Sequence, residues 1–319
     1  MATIGFHASH ELFPPTELLL QVQRAEAAGF TAGMCSDHMH PWTPQQGHSA
    51  FSFAWLGAAL QGCSLPMGTI CCPTGRYHPA MVAQAAATLT DLFPGRFWLA
   101  LGTGQALNEH ITGEPWPPKP QRQAALETAA GVIRRLWSGE LVTEPKGRPV
   151  DRTRLYVRPS RPPLLLGAAT TPETASWVGG WADGLLTVAG DTESLRGVVT
   201  AFRGGGGAGK PMYLQSMVGW HPDEETAWRN ARDNWPVASL DQTALQDTPT
   251  PEELASASEG VSVDDLRAKL RVSSDLKKHR GWLEDDLALG FDAVFLYTIG
   301  GDPLGFIEAY GESVLPHFR

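Results

Sequence analysis

Short apolar runs alternate along this chain with stretches whose apolar residues recur at helical spacing. The runs predict strands over Thr3–His7, Ala32–Ser36, Pro66–Cys71, Phe97–Leu101, Leu164–Gly167, Gly184–Val188, Met212–Val218 and Ala293–Tyr297. The helical patterns between them cover Pro15–Ala28, Phe53–Gln61, Pro79–Leu92, Gln121–Ser138, Pro172–Gly180, Glu193–Phe202, Asp223–Trp235, Leu276–Leu289 and Pro303–His317. Eight strand–helix units are what a (β/α)8 TIM barrel of the α/β class requires. A doubly wound sheet would carry a Gly-rich phosphate loop after its first strand. Here that strand runs instead into His7-Ala8-Ser9-His10-Glu11. The expectation is one barrel domain over residues 1–319, with insertions at about 105–118, 139–161 and 237–275. Gly204–Gly207 with Gly209 precedes a strand rather than a helix, and reads as a turn.

Composition narrows the function classes. The net charge is −9 with no basic run, a poor basis for neutralising nucleic-acid phosphates. No apolar run reaches membrane-spanning length. The N-terminal Met1-Ala2-Thr3-Ile4-Gly5-Phe6 reads as a strand rather than a signal peptide. Cys35, Cys63, Cys71 and Cys72 lie in apolar surroundings without a CxxC pair, so reduced thiols and a cytoplasmic location are expected.

Barrel active sites gather at the C-terminal ends of the strands, and the polar residues expected there form a set. The first strand delivers His7 and then Glu11; the second Asp37, His38 and Trp42; the third Cys71, Cys72 and Thr74. The fourth gives Thr103, Gly104, Gln105 and Asn108, the fifth Ala169, Thr170 and Thr171, and the sixth Thr187 and Val188. An imidazole beside a carboxylate at a strand end can move protons near neutral pH. A Trp close by can wall a planar ligand. Thr170 and Thr171 precede a helix starting at Pro172, where backbone amides favour an anion; a plain Thr cap reads equally well.

The strings Ser36-Asp37-His38 with Pro41-Trp42, Gly47-His48 with Phe51 and Trp55, Arg76-Tyr77-His78-Pro79, Gly102-Thr103-Gly104-Gln105-Ala106-Leu107-Asn108-Glu109 and Trp181-Ala182-Asp183-Gly184 together resemble the deazaflavin-dependent branch of the luciferase-like oxidoreductases. The coenzyme F420-dependent glucose-6-phosphate dehydrogenase family is the relative named by these strings, and the resemblance runs nearly the whole chain. It implies a TIM barrel of the bacterial luciferase-like type holding coenzyme F420 at its mouth. It implies a homodimer, and hydride transfer to or from ring carbon C5. It implies a non-proline cis peptide near Thr69-Ile70. By position it gives catalytic roles to His38, Trp42, Glu11 and Gln105. Cofactor contacts would come from Asp37, Thr69, Ile70, Cys72, Thr103, Gly104 and Asn108, and a phosphate-side grip from Thr170, Thr171, Glu173 and Thr174. His7, His48, Trp116 and Val188 would line a substrate pocket.

Departures from the family pattern bear on chemistry. Gln105 stands where the family has a Glu, and an amide cannot ionise. Val188 and Asp191 replace a Thr and a Lys of the sugar-phosphate site, and Lys269 alone falls near a remaining basic position. A reductase of a small C=C, C=N or C=O substrate using reduced coenzyme is therefore favoured over a sugar-phosphate or alcohol dehydrogenase. Two readings from other classes are a flavin monooxygenase of the wider luciferase-like group and a metal-dependent barrel hydrolase using His38 and His40.

Overall fold

In the computed structural model, which describes residues 2–299 and 301–318, eight parallel strands close on themselves. They are β1 (Thr3–Ala8), β2 (Ala32–Cys35), β3 (Met67–Cys71), β4 (Phe97–Leu101), β5 (Leu164–Ala168), β6 (Gly184–Val188), β7 (Met212–Gly219) and β8 (Ala293–Thr298). Each pairs in parallel with its sequence neighbours, β8 pairs with β1, and the ring is complete. Helices cover the outside, so most strands are buried on both faces and read as continuous apolar runs, as Phe97–Leu101 does; β7, with Gln215 and Ser216, is the exception in its middle. The resulting architecture is a (β/α)8 TIM barrel.

Local chemistry sets the helix ends. Pro15 opens α1 (Pro15–Ala28) and Gly29 closes it in the left-handed conformation. The hydroxyl of Thr171 caps the helix Pro172–Trp181, and the carboxylate of Asp191 caps Thr192–Phe202. Inside the barrel, Met34, Trp98, Leu166, Leu186 and Phe295 fill the floor, with the Trp98 and Phe295 rings 5.3 Å apart. Trp98 lies where a side chain at residue 68 would go, which explains Gly68 on the neighbouring strand. The floor is thus a packed core, and a cavity opens towards the C-terminal ends of the strands.

Three segments outside the repeat shape that open end. Residues 105–118 form a short helix, Ala106–Glu109, followed by a turn of 3₁₀ helix. The stretch 139–161 holds a two-stranded antiparallel hairpin, Val142–Glu144 with Val150–Thr153. Its Arg148 donates to the carbonyls of Thr74 and Gly75 and braces the loop after β3. Residues 237–275 contain the short helices Gln242–Asp247, Pro251–Ala257 and Val263–Arg267, and a strand, Arg271–Val272, paired with the end of β7. Leu254, Leu266 and Leu270 of this segment share a cluster with Leu107, Trp235 and Tyr297, which seats it over the barrel mouth.

Candidate active site

A cavity of about 570 Å³ opens at the C-terminal ends of the strands. Its lining draws on every barrel strand or the loop that follows it, and on the 237–275 segment. At one side, His38 and Glu11 face each other, with Nδ1 3.6 Å from the carboxylate. Glu11 is fully buried and accepts from the hydroxyls of Ser36 at 2.7 Å and Ser9 at 2.9 Å. Burial alone would raise its pKa. The His38 imidazole, the Ser36 hydroxyl and His7 more than offset that and hold the carboxyl below its ordinary range. Burial pushes His38 the other way, below the ordinary histidine value. The Glu11 charge opposes the shift, the Arg76 guanidinium assists it, and the downward push wins. The pair therefore rests as neutral imidazole and carboxylate at neutral pH, with the carboxylate placed to stabilise an imidazolium once formed.

The loop carrying His38 is held by Asn108. Its Oδ1 accepts from the amides of Met39 at 2.8 Å and His40 at 3.3 Å, and its Nδ2 donates to Gln105 at 3.3 Å. Trp42 packs against His38 with ring centres 5.1 Å apart and against Trp235 at 5.8 Å, walling one side of the cavity.

Asp37 points into a different network. Its carboxylate accepts from Ser52 at 2.6 Å, Tyr77 at 2.9 Å and Arg76 at 2.6 Å. The Arg76 side chain is 7 % exposed, and its other nitrogen reaches Glu109 at 2.5 Å, so one guanidinium neutralises two buried carboxylates. Sequence reading missed this. Arg76 appears there only inside a motif string, and nothing local in the chain links it to residues 37 and 109. The sole available signal was one Arg among several acidic groups at strand ends.

The sequence-predicted residues divide on geometry. His7, Glu11, Asp37, His38, Trp42, Ile70, Cys72, Thr103, Gly104, Gln105, Asn108, Thr170, Thr171, Thr174 and Val188 all line the cavity. Gly104 has φ 82°, and a side chain there would strike the Cys72 sulfur. Four residues stand elsewhere. Thr69 is fully buried and donates to the Cys35 carbonyl, tying β3 to β2. Glu173 is exposed beside Lys119, its carboxylate 3.8 Å from the ammonium. His48 is exposed on a surface loop. Trp116 lies in a side cleft, donating to Asp247 and stacked under Arg122. The expected cis link near Thr69-Ile70 is also absent. Every peptide bond among the described residues is trans, and Thr69 and Ile70 keep regular register with Leu99 and Ala100. Asp191 is spent as a helix cap, bonded to the Ser194 amide and hydroxyl, instead of facing the cavity. Lys269 does line it, donating to the Ser239 carbonyl. His40 turns its Nδ1 to the Leu107 carbonyl, and no group of three or more metal-ligating side chains stands together among the described residues.

The profile of the luciferase-like monooxygenase family matches residues 2–301. The chain belongs to that family. Within it, the F420-dependent glucose-6-phosphate dehydrogenase of Nakamurella multipartita is 34% identical over 99% of this chain and 96% of its own. The F420-dependent hydroxymycolic acid dehydrogenase of Mycobacterium tuberculosis is 36% identical over 99% of this chain and 88% of its own. Among solved structures, an F420-dependent secondary alcohol dehydrogenase in complex with an F420-acetone adduct superposes with a TM-score of 0.92 at 31% identity, covering 100% and 99% of the two chains. These luciferase-like relatives are oxidoreductases, and the chain aligns with them end to end.

Proposed function

We propose that this protein is a coenzyme F420-dependent oxidoreductase that reduces a small, non-phosphorylated substrate at a C=O, C=N or C=C bond. The observation that carries the reading is the His38–Glu11 pair facing a large cavity beside Trp42, in a chain whose full-length relatives use this coenzyme. The cavity suits the coenzyme. It offers an apolar side chain at Ile70, a side-chain-free backbone at Gly104, and a helix start at Thr171 with Lys119 nearby for an anionic group. When bound, the coenzyme supplies or accepts the hydride at its ring.

The chain's own residues handle the proton. In reduction, protonated His38 gives its proton to the substrate atom that gains charge, and the Glu11 carboxylate stabilises the imidazolium beforehand. Asn108 fixes the loop that aims His38, and Trp42 with Trp235 excludes water. Gln105 hydrogen-bonds without exchanging a proton. In either direction this leaves His38 as the group that moves the substrate's proton, to the substrate in reduction and from its hydroxyl in oxidation. A second reading, oxidation of an alcohol, is supported by the neutral resting state of His38, which can take a hydroxyl proton. Discrimination against sugar phosphates rests on Val188, which offers a phosphate no hydrogen bond, and on position 191, where a helix-capping Asp stands in place of a cation.

The test is steady-state turnover with reduced coenzyme and a panel of ketones, imines and enones, against oxidised coenzyme with the matching alcohols and with glucose 6-phosphate. Faster reduction than oxidation near neutrality supports the reading. Efficient oxidation of glucose 6-phosphate overturns it.

A further inference from the structure

The wall of the cavity formed by β6, β7, β8 and β1 contains polar groups that the proton chemistry does not use. His7, at the end of β1, is 2 % exposed and lines the cavity, yet neither of its ring nitrogens has a hydrogen-bond partner. Its ring stands edge-on to Tyr297 of β8 at 4.6 Å. The hydroxyl of Thr187 on β6 is likewise buried, unpartnered and in the cavity lining. Gln215 and Met217 of β7 complete the wall. Buried polar atoms are nearly always satisfied, and one left open in a cavity points to a ligand that completes it.

Burial lowers the pKa of His7 to about 3, so its ring keeps one donor and one acceptor throughout the working pH range. Glu11 is the carboxylate that acts on it, and a substrate anion placed here would meet that charge.

From this wall we infer that His7 and Thr187 form a neutral hydrogen-bonding subsite for a second oxygen-bearing group of the substrate, a hydroxyl, carbonyl or amide, apart from the group that reacts at His38. The enzyme then selects uncharged bifunctional substrates over simple ketones and over carboxylates. This rests on the carbonyl-reduction reading above.

The experiment compares wild type with His7→Phe and Thr187→Val. His7→Phe keeps a ring against Tyr297. Acetone, hydroxyacetone and pyruvate serve as substrates with reduced coenzyme, and the melting temperature of each protein is read without substrate. Wild type should favour hydroxyacetone over acetone by about tenfold in kcat/KM, the factor one neutral hydrogen bond carries, and pyruvate should be the poorest. The hydroxyacetone-to-acetone ratio should fall towards unity in His7→Phe and drop in Thr187→Val. The melting temperature of His7→Phe should equal or exceed that of wild type, since no bond is lost. An unchanged ratio in both variants overturns the subsite. A lowered melting temperature of His7→Phe also overturns it, because it shows a structural role for the ring. If wild type binds coenzyme but turns over none of the three, the carbonyl reading fails. The melting temperature still decides His7 in that case: unchanged or raised supports a ligand-directed ring, lowered refutes it.

Discussion

Replacing Arg76 with Met removes the one cation that stands between Asp37 and Glu109 while keeping much of its stem volume. Both carboxylates are nearly inaccessible, and the ion pairs are 2.6 and 2.5 Å long. Breaking a buried pair by removing one partner costs about 3–5 kcal/mol, because the remaining charge loses its compensation without regaining water. With an unfolding entropy of about 2.1 cal/mol/K per residue, a chain of this length has roughly 0.7 kcal/mol/K in total, so the melting temperature should fall by roughly 4–8 °C. The loss should depend on pH. Burial already raises the Glu109 pKa, with Arg76 pulling it down, so Arg76→Met raises it further. A carboxyl whose folded pKa lies above its unfolded one stabilises fully below the unfolded value and loses that contribution as pH rises through the folded value. The deficit should therefore be larger near neutrality than at mildly acidic pH. Adding Asp37→Asn and Glu109→Gln should recover part of it, since neutral amides are less costly to bury than bare carboxylates. Differential scanning fluorimetry of the three proteins across pH is the assay. A fall below about 1.5 °C for Arg76→Met, or a deficit that grows in acid, would refute the reasoning.

His38→Ala should lower turnover by at least ~100-fold with coenzyme affinity changed only a few-fold, as expected for an acid–base group; unchanged turnover in a folded variant would show His38 to be structural. Reduction should speed up as pH falls through a value below the ordinary histidine range, because burial disfavours the imidazolium that must donate, and Arg76→Met should move that profile to higher pH by removing a cation that opposes protonation. Wild type should oxidise glucose 6-phosphate with kcat/KM well under the ~10⁴ M⁻¹s⁻¹ lower range of ordinary enzymes, and Gln105→Glu alone should not restore it, because Val188 still offers the phosphate no hydrogen bond.

The barrel was legible because most of its strands are short, mainly apolar runs and its helices carry their own stops. Phe97–Leu101, Gly184–Val188, Pro15–Ala28 and Pro79–Leu92 fall where the pattern puts them, the last two opened by proline. The 237–275 segment was less readable. Its helices are short and draw their stability from Trp235 and Tyr297, which are distant in sequence or on another element. At the site, residues on strand ends were placed well, since the fold dictates where a strand end points. Partners were not. Asp37 looks like a free carboxylate until Arg76, Ser52 and Tyr77 are seen to consume it. Thr69 looks like a cofactor contact until its alternation on β3 turns it towards the Cys35 carbonyl. Trp116 and His48 lie on loops whose course no periodicity fixes. The orphaned nitrogens of His7 belong to the same class: a missing partner is visible only in three dimensions.

The assignment of this cavity to a deazaflavin used for hydride transfer is open to direct experiment. Its most direct test is a titration of the purified protein with coenzyme F420 and, in parallel, with flavin mononucleotide, followed by the quenching of tryptophan fluorescence. Trp42 and Trp235 border the cavity and should report occupancy. Saturable binding of coenzyme F420, with flavin mononucleotide binding much more weakly, is the predicted result. Tight flavin mononucleotide binding with no response to coenzyme F420 would contradict the account.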